Sequence, residues 1–445
     1  MATLITPISG WGRYPVQTCE LERPERYADL RSHAHGVIAR GQGRSYGDAS
    51  LNENGRVLLT ERVNRLLDFN EEQGILRAEA GATLAEILQV IVPRGWFLPV
   101  TPGTKFVSLG GCVAADVHGK NHHQDGSFGE HIVSIQLVQA DGNLLTCSKD
   151  ENPEIFWATV GGMGLTGMVG EVTLKLIPIA TPYIKVRHHS AENLEQLFRS
   201  LQNPECDDRY TVAWIDSMAT GRQLGRGVAM CGHHASSAEL PVDFNHASLV
   251  KAGRAIPFDF PGWVLNPLSI AAFNALYYAR EGAKQQPFIS AYDDFFYPLD
   301  AIGNWNRLYG KRGFVQYQCV IPEATAPEGI RSLLQELSGS RRPSFLAVLK
   351  RFGAQGRGML SFPMAGYTLA LDLPIRDEGL FAMLNKLDQI VLRHGGRVYL
   401  AKDARLSAEL FCSMYPRYSE WLDIKRAVDP QNSFCSSLAR RLRIC

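Results

Sequence analysis

The sequence predicts an α+β fold in two domains, and three observations lead to this prediction. The chain has 445 residues, which is more than one ordinary hydrophobic core accommodates. Hydrophobic residues make up 45% and charged residues 20% of it, the proportions of a folded globular protein. Short strands and helices alternate up to about residue 181, and longer strands alternate with helices from about residue 182 to residue 396. This change of pattern marks the expected domain boundary.

The first part of the chain has strand patterns separated by glycine-rich turns. They are GVIA (36–39), RVLLT (56–60), GILRAEAG (74–81) and SIQLVQADGNLLTCS (134–148). The Asp-Gly pair in the last of these predicts a hairpin turn.

Helices are predicted between these strands. The pattern TLAEILQVIVPRG (83–95) begins at Thr83 as its cap, has Glu86 three residues later as in a capping box, and stops at a proline and a glycine. The pattern NPEIFWATVGG (152–162) has Asn152 as its expected cap and a proline in its first turn. This mixture is typical of an α+β domain.

The second part predicts one sheet covered by helices on one face. The strand candidates are GFVQYQCVIP (313–322) and YTLALDLPI (367–375), and the helix candidates are EGIRSLLQELSGS (328–340) and EGLFAMLNKLDQIVLRHGG (378–396). Residues 253–283 are unusually apolar and aromatic. A buried core is the favoured interpretation of that segment. A lid or a lipid-facing surface is the alternative, because exposed apolar patches of this size usually have a partner.

Charge and cysteine usage limit the classes of function. The 46 Lys and Arg residues nearly balance the 45 Asp and Glu residues, so the net charge of +1 argues against nucleic-acid binding. The nine cysteines contain no C-x-x-C pair, and we expect reduced thiols in the cytoplasm. The N-terminal residues lack the pattern of a signal peptide, and no run of about 18 apolar residues predicts a membrane-spanning helix. The expected location is the cytoplasm, with contact to the inner face of the membrane left open.

Three glycine clusters lie in the first part of the chain. ARGQGRSYGD (39–48) differs from a dinucleotide-binding fingerprint, because its third glycine comes one place late and a polar turn follows where a helix is needed. The second cluster is TPGTKFVSLGGCVAADVHGKNHH (101–123), and the third is WATVGGMGLTGMVGEV (157–172). Glycines let backbone N–H groups approach a ligand closely and form anion sites. Together the clusters predict a large cofactor whose diphosphate contacts several loops.

These clusters resemble the flavin domain of the vanillyl-alcohol-oxidase/PCMH superfamily, and within it the decaprenylphosphoryl-β-D-ribose 2-oxidase family. The resemblance extends from Gly10 to Phe434, which is nearly the whole chain. Its motifs are GWGR, ARGQGRSYGD, PGTKFVSLGG, HGKNHH with GSFG, FWATVGGMGLTG, FVQYQCVIP, FLAVLKRFG, RVYLAKDAR, MYPR and VDPQNSF. The resemblance implies a PCMH-type FAD-binding domain of residues 1–181, completed by residues 397–445, and a substrate domain of residues 182–396.

The resemblance implies FAD as the cofactor. Its implied contacts are Ala39, Arg40, Gly41, Gln42, Gly43, Arg44, Ser45, Tyr46, Gly47, Asp48, Gly103, Ser108, Leu109, Gly110, Gly111, His118, Gly119, Lys120, Asn121, Val169, Tyr399 and Lys402. Several superfamily members bond a histidine of a G-x-G-H-S motif covalently to the flavin. Arg44 stands at that place here and cannot form the bond, so we expect noncovalent FAD.

Lys402, His118 and Tyr46 are the candidate catalytic residues. An ammonium at Lys402 would stabilise negative charge on reduced flavin or orient the substrate hydroxyl, and an amine of lowered pKa would accept the proton. The family position of His118 implies a place beside the flavin or the substrate hydroxyl. A structural role is the alternative for each. His118 has histidine neighbours at 122 and 123, but no cysteine or second ligand pair follows at metal spacing, so we expect no metal.

The family position of several further residues implies a substrate pocket. They are Gln316, Gln318, Lys350, Phe352 and Thr368. The two glutamines lie two apart on one strand and therefore share a face, where both can contact sugar hydroxyls. Lys350 is a candidate contact for a phosphate. The chain departs from the best-known members of the family at two positions, with Ala370 in place of a cysteine and Thr368 in place of an asparagine.

The resemblance implies oxidation of the C2 hydroxyl of a polyprenyl-phosphoryl-β-D-ribose to the 2-keto sugar. A separate NAD(P)H-dependent keto-reductase would complete epimerisation to the arabinose lipid, and residues 253–283 would face the lipid tail or the membrane. A soluble aldonolactone or alditol oxidase acting on free sugars is the alternative. A flavin-binding protein without activity is a third possibility, against which Lys402 and His118 argue. A nicotinamide-dependent dehydrogenase is disfavoured, because the required helix and acidic residue are absent from the glycine loop.

Overall fold

The computed structural model describes residues 3–202, 208–241, 254–340, 342 and 344–445. The first part of the chain forms two principal sheets, of orders β1-β2-β4-β3 and β5-β6-β10-β8-β9. The strands of this part are β1 Leu4–Ser9, β2 Val16–Glu22, β3 Val37–Arg40, β4 Arg56–Leu59, β5 Leu66–Asn70, β6 Ile75–Glu79, β7 Trp96–Phe97, β8 Ile132–Val138, β9 Leu144–Ser148, β10 Met168–Lys175 and β11 Ile177–Pro178. The helices are α1 Tyr27–Ser32, α2 Leu84–Ile91, α3 Leu109–Ala114, α4 His122–Asp125 and α5 Pro153–Thr159.

Local sequence signals account for most of these elements. Helix α2 has the predicted capping box, in which the Glu86 backbone N–H donates to Thr83 Oγ1 at 3.1 Å and the Thr83 N–H donates to the Glu86 carboxylate at 2.7 Å. Strands β8 and β9 form the hairpin predicted from Asp-Gly, and Gly142 adopts a φ of 82°. Asn152 is the N-cap residue of α5 as predicted, but its side chain makes no capping hydrogen bond and instead donates to the Thr146 carbonyl at 2.8 Å.

The second part of the chain forms an eight-stranded sheet of order β16-β12-β14-β13-β19-β20-β18-β21. The strands of this part are β12 Tyr183–Ala191, β13 Tyr210–Ile215, β14 Gly227–His234, β15 Arg254–Ala255, β16 Phe288–Ala291, β17 Ile302–Gly303, β18 Phe314–Pro322, β19 Ala347–Phe352, β20 Gly366–Pro374 and β21 Arg397–Val398. The helices are α6 Leu194–Gln202, α7 Pro267–Gly282, α8 Tyr292–Phe296, α9 Ala326–Gly339, α10 Gly379–Arg393, α11 Ala408–Met414, α12 Tyr418–Val428 and α13 Ser437–Arg441. The α+β fold class is confirmed.

The two faces of this large sheet differ in chemistry. Because side chains alternate along a strand, β20 turns Leu369 and Leu371 to one face and Ala370 to the other. The leucine face packs on α6, α9 and α10 in one buried apolar cluster. Each fully buried leucine contributes about 2 kcal/mol to that packing. Helix α7 packs on the opposite face, where Tyr277 contacts Trp214, so helices lie on both faces and not on one as predicted. The rest of the opposite face is left for a cavity.

The apolar segment predicted at residues 253–283 is partly exposed. Gly253 lies outside the described residues. Trp263 is 74% and Leu268 83% exposed, so a buried core is the wrong interpretation for these side chains. Ile270 is buried on α7, and the Tyr277 ring packs on Trp214 at 4.7 Å. Helix α7 is apolar on most of its circumference, and composition alone therefore could not tell which side faces the protein.

Two cysteines near the C-terminus are joined, which contradicts the expectation that all nine are reduced. Cys435 and Cys445 form a disulfide with Cα atoms 6.3 Å apart. Cys231 is also disulfide-bonded, and Cys206 lies outside the described residues. Helix α13 folds the chain end back on itself, and this pairing leaves no C-x-x-C signature. The thiol argument for a cytoplasmic location therefore no longer holds. Among the described residues, no helix is long and apolar enough to cross a membrane.

The C-terminal segment contacts both parts of the chain. Strand β21 is an edge of the eight-stranded sheet. Further on, Phe434 forms a parallel bridge with Val37, and the Ser437 N–H donates to the Leu51 carbonyl at 2.8 Å. The exact domain boundaries stay a prediction, with residue 397 lying inside an edge strand of the second sheet.

Candidate active site

A cavity of about 400 Å³ lies between the glycine clusters and the face of the large sheet opposite the leucine face. Most of the predicted site residues line it: Ala39, Gly41, Gln42, Gly43, Arg44, Ser45, Tyr46, Gly103, Ser108, Gly110, Gly111, His118, Lys120, Val169, Gln316, Gln318, Lys350, Tyr399 and Lys402. The structure thus brings together residues from both parts of the chain in one pocket, where ligand sites commonly form.

The first glycine cluster presents backbone N–H groups to this cavity. Strand β3 ends at Arg40, and residues 41–45 follow as a loop along the wall. No acceptor in the described part of the chain receives a hydrogen bond from the backbone N–H groups of residues 41–45. These residues are partly exposed at the cavity, so their N–H groups are accessible to a ligand. A row of them at a cavity wall is a site for an anion such as a diphosphate.

The second and third clusters leave room for a flat ligand. A Cβ atom added at Gly103 would meet nothing within 4 Å, so this glycine borders open cavity. Helix α3 begins at Ser108, whose Oγ accepts the Gly111 N–H at 3.3 Å. Val169 of β10 also reaches the wall. An anion site beside open, largely apolar walls fits FAD, which combines a diphosphate with two ring systems.

Lys402 lies over the ring of Tyr46. Its Nζ is 4.0 Å from the ring centroid, and the Tyr46 N–H donates to the Ala401 carbonyl at 3.1 Å. Burial lowers the pKa of Lys402 to about 7, since the cavity disfavours the ammonium, while the charge of Asp372 opposes this shift. Burial also raises the pKa of Tyr46, so its phenol stays protonated. An amine of this pKa exchanges protons near neutrality, which is what a general base requires.

Asp372 is a buried carboxylate that the sequence prediction missed. It accepts a hydrogen bond from Gln316 Nε2 at 2.5 Å and one from the Tyr309 hydroxyl at 3.4 Å. Burial raises its pKa to about 7, whereas Gln316 and Lys402 favour the charged form. The alternation of side chains along β20 could have identified Asp372, because it shares a face with Thr368 and Ala370.

His118 is held by a glutamine of the sheet. Gln318 Nε2 lies 2.9 Å from His118 Nε2 and donates to Thr368 Oγ1 at 3.1 Å. Because an amide nitrogen donates, this network assigns Nε2 as the acceptor and the proton to Nδ1. Nδ1 is buried and has no partner in the described part of the chain. Burial lowers the pKa of His118 well below its ordinary value, so the ring is neutral. The Phe352 ring packs against it at 4.7 Å.

Two further lysines add positive charge to the cavity. Burial lowers the pKa of Lys350 to about 8 and that of Lys120 to about 7. Lys120 donates to the Phe295 carbonyl and lies 4.0 Å from the Phe295 ring centroid. An anionic ligand group near these amines favours their protonated form.

The remaining predicted residues do not line the cavity and lie next to residues that do. Arg40 donates to the Ser9 carbonyl at 2.6 Å, and Asn121 donates to the Pro99 carbonyl at 2.7 Å. The residues in this group are Arg40, Gly47, Asp48, Leu109, Gly119, Asn121, Phe352 and Thr368. A direct contact of any of them with a ligand stays a prediction.

Tryptophan residues outside the glycine clusters complete the cavity, and none of them is among the predicted site residues. The Arg44 guanidinium stacks on Trp11 at 3.9 Å from the ring centroid, and Trp305 packs on Trp11 at 5.8 Å. Trp214 of β13 lines the opposite side. Among the described residues, no three His, Cys, Asp or Glu side chains are arranged to hold a metal ion. The absence of a metal stays a prediction.

Two stretches of the chain match known families. Residues 18–148 match the family described as FAD binding domain, and residues 369–442 match the family described as D-arabinono-1,4-lactone oxidase. The first match contains two of the three glycine clusters, and the second contains Asp372 and Lys402.

Individual relatives extend the similarity to the full length. The chain is 36% identical to the decaprenylphosphoryl-beta-D-ribose oxidase of Mycolicibacterium smegmatis, over 98% of this chain and 97% of that protein. It is 35% identical to an uncharacterized Streptomyces coelicolor protein in the mprA 5' region, over 81% of this chain and 99% of that protein. The mitochondrial L-galactono-1,4-lactone dehydrogenase of Brassica oleracea is 28% identical, over 38% of this chain and 29% of that protein.

Proposed function

The chain belongs to the decaprenylphosphoryl-β-D-ribose oxidase family and is an FAD-dependent oxidoreductase, and from this premise we propose that it oxidises the C2 hydroxyl of a polyprenyl-phosphoryl-β-D-ribose to the 2-keto sugar. The observation that carries the proposal is Lys402, a buried amine with a pKa of about 7 in a cavity that also holds an anion site. Removing a hydride from an alcohol carbon requires that the hydroxyl proton leave as well. Lys402 is suited to take that proton near neutral pH.

The protein's own groups hold the reacting alcohol in this proposal. FAD, when bound, supplies the acceptor for the hydride that leaves C2. Lys402 accepts the hydroxyl proton as a neutral amine, and Asp372 tunes the pKa of that amine through its charge. His118 presents its Nδ1 proton to a substrate or flavin oxygen, because Gln318 occupies Nε2. The Tyr46 ring packs against the end of the Lys402 side chain and holds it in place.

The substrate contacts follow from the chemistry of the sheet face. Lys350 and Lys120 are the proposed contacts of the substrate phosphate, since both are amines at the cavity whose protonated form an anion would favour. Gln316, Gln318 and Thr368 offer amide and hydroxyl groups to the sugar. Ala370 offers only a methyl group, so the proposed reaction needs no thiol at that position.

We propose noncovalent FAD, held through its diphosphate by the N–H groups of residues 41–45. Arg44 stands where covalent relatives are expected to have a histidine, and its guanidinium is stacked on Trp11. Acid precipitation is expected to leave the yellow colour in the supernatant. A yellow pellet would mean a covalent bond and would remove this proposal.

The 2-keto product and the exposed apolar residues lead to two further proposals, one on a partner enzyme and one on the location of the protein. A 2-keto sugar must be reduced to complete an epimerisation, so a separate NAD(P)H-dependent keto-reductase is the proposed partner. Exposed Phe258, Trp263, Leu268 and Leu276 form an apolar surface, defined here as the α7 surface. A lipid substrate has to leave a membrane, and the α7 surface is a candidate contact with it. We propose a protein that binds a membrane surface, while the disulfides leave the cytoplasmic side of the membrane without support.

The decisive experiment compares substrates with purified protein and a dye acceptor. We expect turnover of prenyl-phosphoryl-ribose and at least about 100-fold lower kcat in Lys402→Met, with the flavin spectrum retained. Unchanged turnover in the variant would exclude the role of Lys402. Turnover of free aldonolactones or alditols in preference to the prenyl-phosphate would instead favour a sugar oxidase. The family match at residues 369–442 makes that the second candidate.

A further inference from the structure

We propose that Arg441 is a positioning residue for the reaction, because it joins the end of the first glycine cluster to the turn that carries Lys402. The inference rests on the proposed function of Lys402. Arg441 is the last residue of α13 and lies 393 residues after Asp48, its main partner. It does not line the cavity, so its effect on catalysis is exerted through other residues.

The guanidinium of Arg441 contacts two carboxylates at once. Its Nε and Nη2 donate to the two oxygens of Asp48 at 2.9 and 2.7 Å. Its Nη1 lies 2.9 Å from Asp403 Oδ2 and donates to the Leu406 carbonyl at 2.6 Å. A planar guanidinium supports such a fork, whereas an ammonium offers one charge centre.

Both carboxylates belong to segments that form the site. Asp48 ends the glycine cluster of residues 39–48, and Asp403 directly follows Lys402. Their side chains are 5% and 2% exposed, so neither can turn to solvent without moving its segment. Burial and the charge of Asp403 raise the pKa of Asp48, and Arg441 opposes this. Without the guanidinium, two buried acids would face each other unpaired and would separate or take up a proton.

The backbones of the two segments are in contact, so the distance between them cannot change without moving one of the segments. A Cβ atom at Gly47 would lie 1.7 Å from the Asp403 carbonyl oxygen, so no side chain fits between them. Lys402 and Asp403 both donate their N–H groups to the Tyr399 carbonyl at 3.0 Å, which forms the turn. A shift at Asp403 is therefore passed on to Lys402 one residue away. A displacement of about 1 Å at a reacting group costs about 100-fold in rate.

The C-terminal segment holds Arg441 firmly. Ser436 caps α13 by accepting the Ala439 N–H at 3.2 Å, and the disulfide between Cys435 and Cys445 closes the segment around the helix. The neighbouring Arg440 points elsewhere, donating to Asn52 Oδ1 at 2.7 Å and to the Glu53 carbonyl at 3.3 Å. Arg440 therefore offers a matched control on the same helix.

The test compares Arg441→Met with Arg440→Met in FAD-loaded protein. We expect Arg441→Met to lower kcat about 10- to 100-fold with KM changed less than about threefold, since substrate contacts remain. The pH at which kcat rises to half its maximum is expected to move as well, because the surroundings of Lys402 change. Arg440→Met is expected to keep the kcat of the unmodified protein within about twofold. Equal kcat values and pH profiles in the two variants would overturn the proposal.

A measurement without substrate tests this proposal independently of the proposed function. In the unmodified protein, titration of the flavin absorbance is expected to show a transition near the pKa of Lys402 that is absent in Lys402→Met. Arg441→Met is expected to shift that transition, whereas Arg440→Met is not. If Arg441→Met fails to fold, Arg441→Lys and Asp403→Asn serve in its place. A transition unmoved in both would overturn the role of Arg441, whatever substrate the enzyme uses.

Discussion

The behaviour of Lys402 depends on two opposing effects at the residue scale. Burial favours the neutral amine, and the nearby charge of Asp372 favours the ammonium. Gln316 and Tyr309 hold that carboxylate in place by hydrogen bonds. The protonation state of the proposed base is therefore set by residues of the sheet, whereas its position is set by the turn that follows β21.

Asp372→Asn is expected to lower the pKa of Lys402 further, because the negative charge that favours the ammonium is removed. Below its pKa the lysine is protonated and cannot accept the substrate proton. The limb of the kcat profile that rises with pH is therefore expected to move to lower pH. The measurement is kcat between pH 5 and pH 9. Asp388→Asn, which removes a buried acid near Arg405 on the helix side of the sheet, is the control. A limb that stays in place or moves to higher pH would contradict the assigned coupling.

Sequence patterns at the residue scale found the glycines, Lys402 and the two glutamines, because each lies in a short motif or on one strand. Asp372 was missed although it shares a face with Ala370, because a single acidic residue in an apolar strand looks like a solvent-exposed position at the strand's edge. Trp11 and Arg441 could not be predicted. The contacts of Trp11 with Trp305 and of Arg441 with Asp48 join segments separated by hundreds of residues, and no local pattern records such contacts.

At the scale of elements, α7 is a helix that carries apolar side chains on both its packed and its exposed side. Asn266 caps its N-terminus by accepting the Leu268 and Ser269 N–H groups at 2.9 and 3.1 Å. One side packs against the sheet through Tyr277 and Trp214. The other side leaves Leu268 and Leu276 in solvent. Exposed apolar side chains beside one another are typical of a surface that has a partner.

The α7 surface is expected to bind lipid vesicles of phosphatidylglycerol and phosphatidylethanolamine. Trp263→Asp with Leu268→Asp is expected to abolish co-flotation with these vesicles, because each large side chain contributes about 2 kcal/mol on burial in the lipid. Ile5→Asp is the matched control, since Ile5 is 71% exposed on β1, away from α7. Equal flotation of all three proteins would contradict the proposed membrane contact.

Strands and helices with strong local signals were predictable, and the exceptions have physical causes. The hairpin of β8 and β9 and the capping box of α2 are made by residues close in sequence, so the pattern suffices. The cap of α5 depends on a competing acceptor in β9, which sequence spacing does not reveal. The direction in which α7 faces depends on the sheet beside it.

At the scale of the whole molecule, the site exists only where the two parts meet. The N–H groups of residues 41–45 come from one part, and Gln316, Gln318 and Lys350 come from the other. The α+β class followed from composition and alternation. The disulfide of Cys435 and Cys445 did not, because it depends on how α13 turns the chain end back.

FAD is expected to stabilise the entire fold, because it contacts loops that come together only in the folded protein. Removal of FAD and its return at one hundred times the Kd is expected to change the free energy of unfolding by about 2.7 kcal/mol. Urea denaturation of apoprotein with and without FAD measures this difference. Riboflavin, which lacks the diphosphate, is the control and is expected to stabilise less. Identical unfolding curves for apoprotein with and without FAD would contradict binding at the assembled site.

The ion pair between Asp48 and Arg441 also sets an order of events during synthesis of the chain. The glycine cluster leaves the ribosome early, but the arginine that fixes its end is 393 residues further along. At about 5 to 20 residues per second, that distance corresponds to roughly 20 to 80 seconds of translation. The ion pair that fixes the end of the flavin loop can therefore form only after Arg441 has been synthesised.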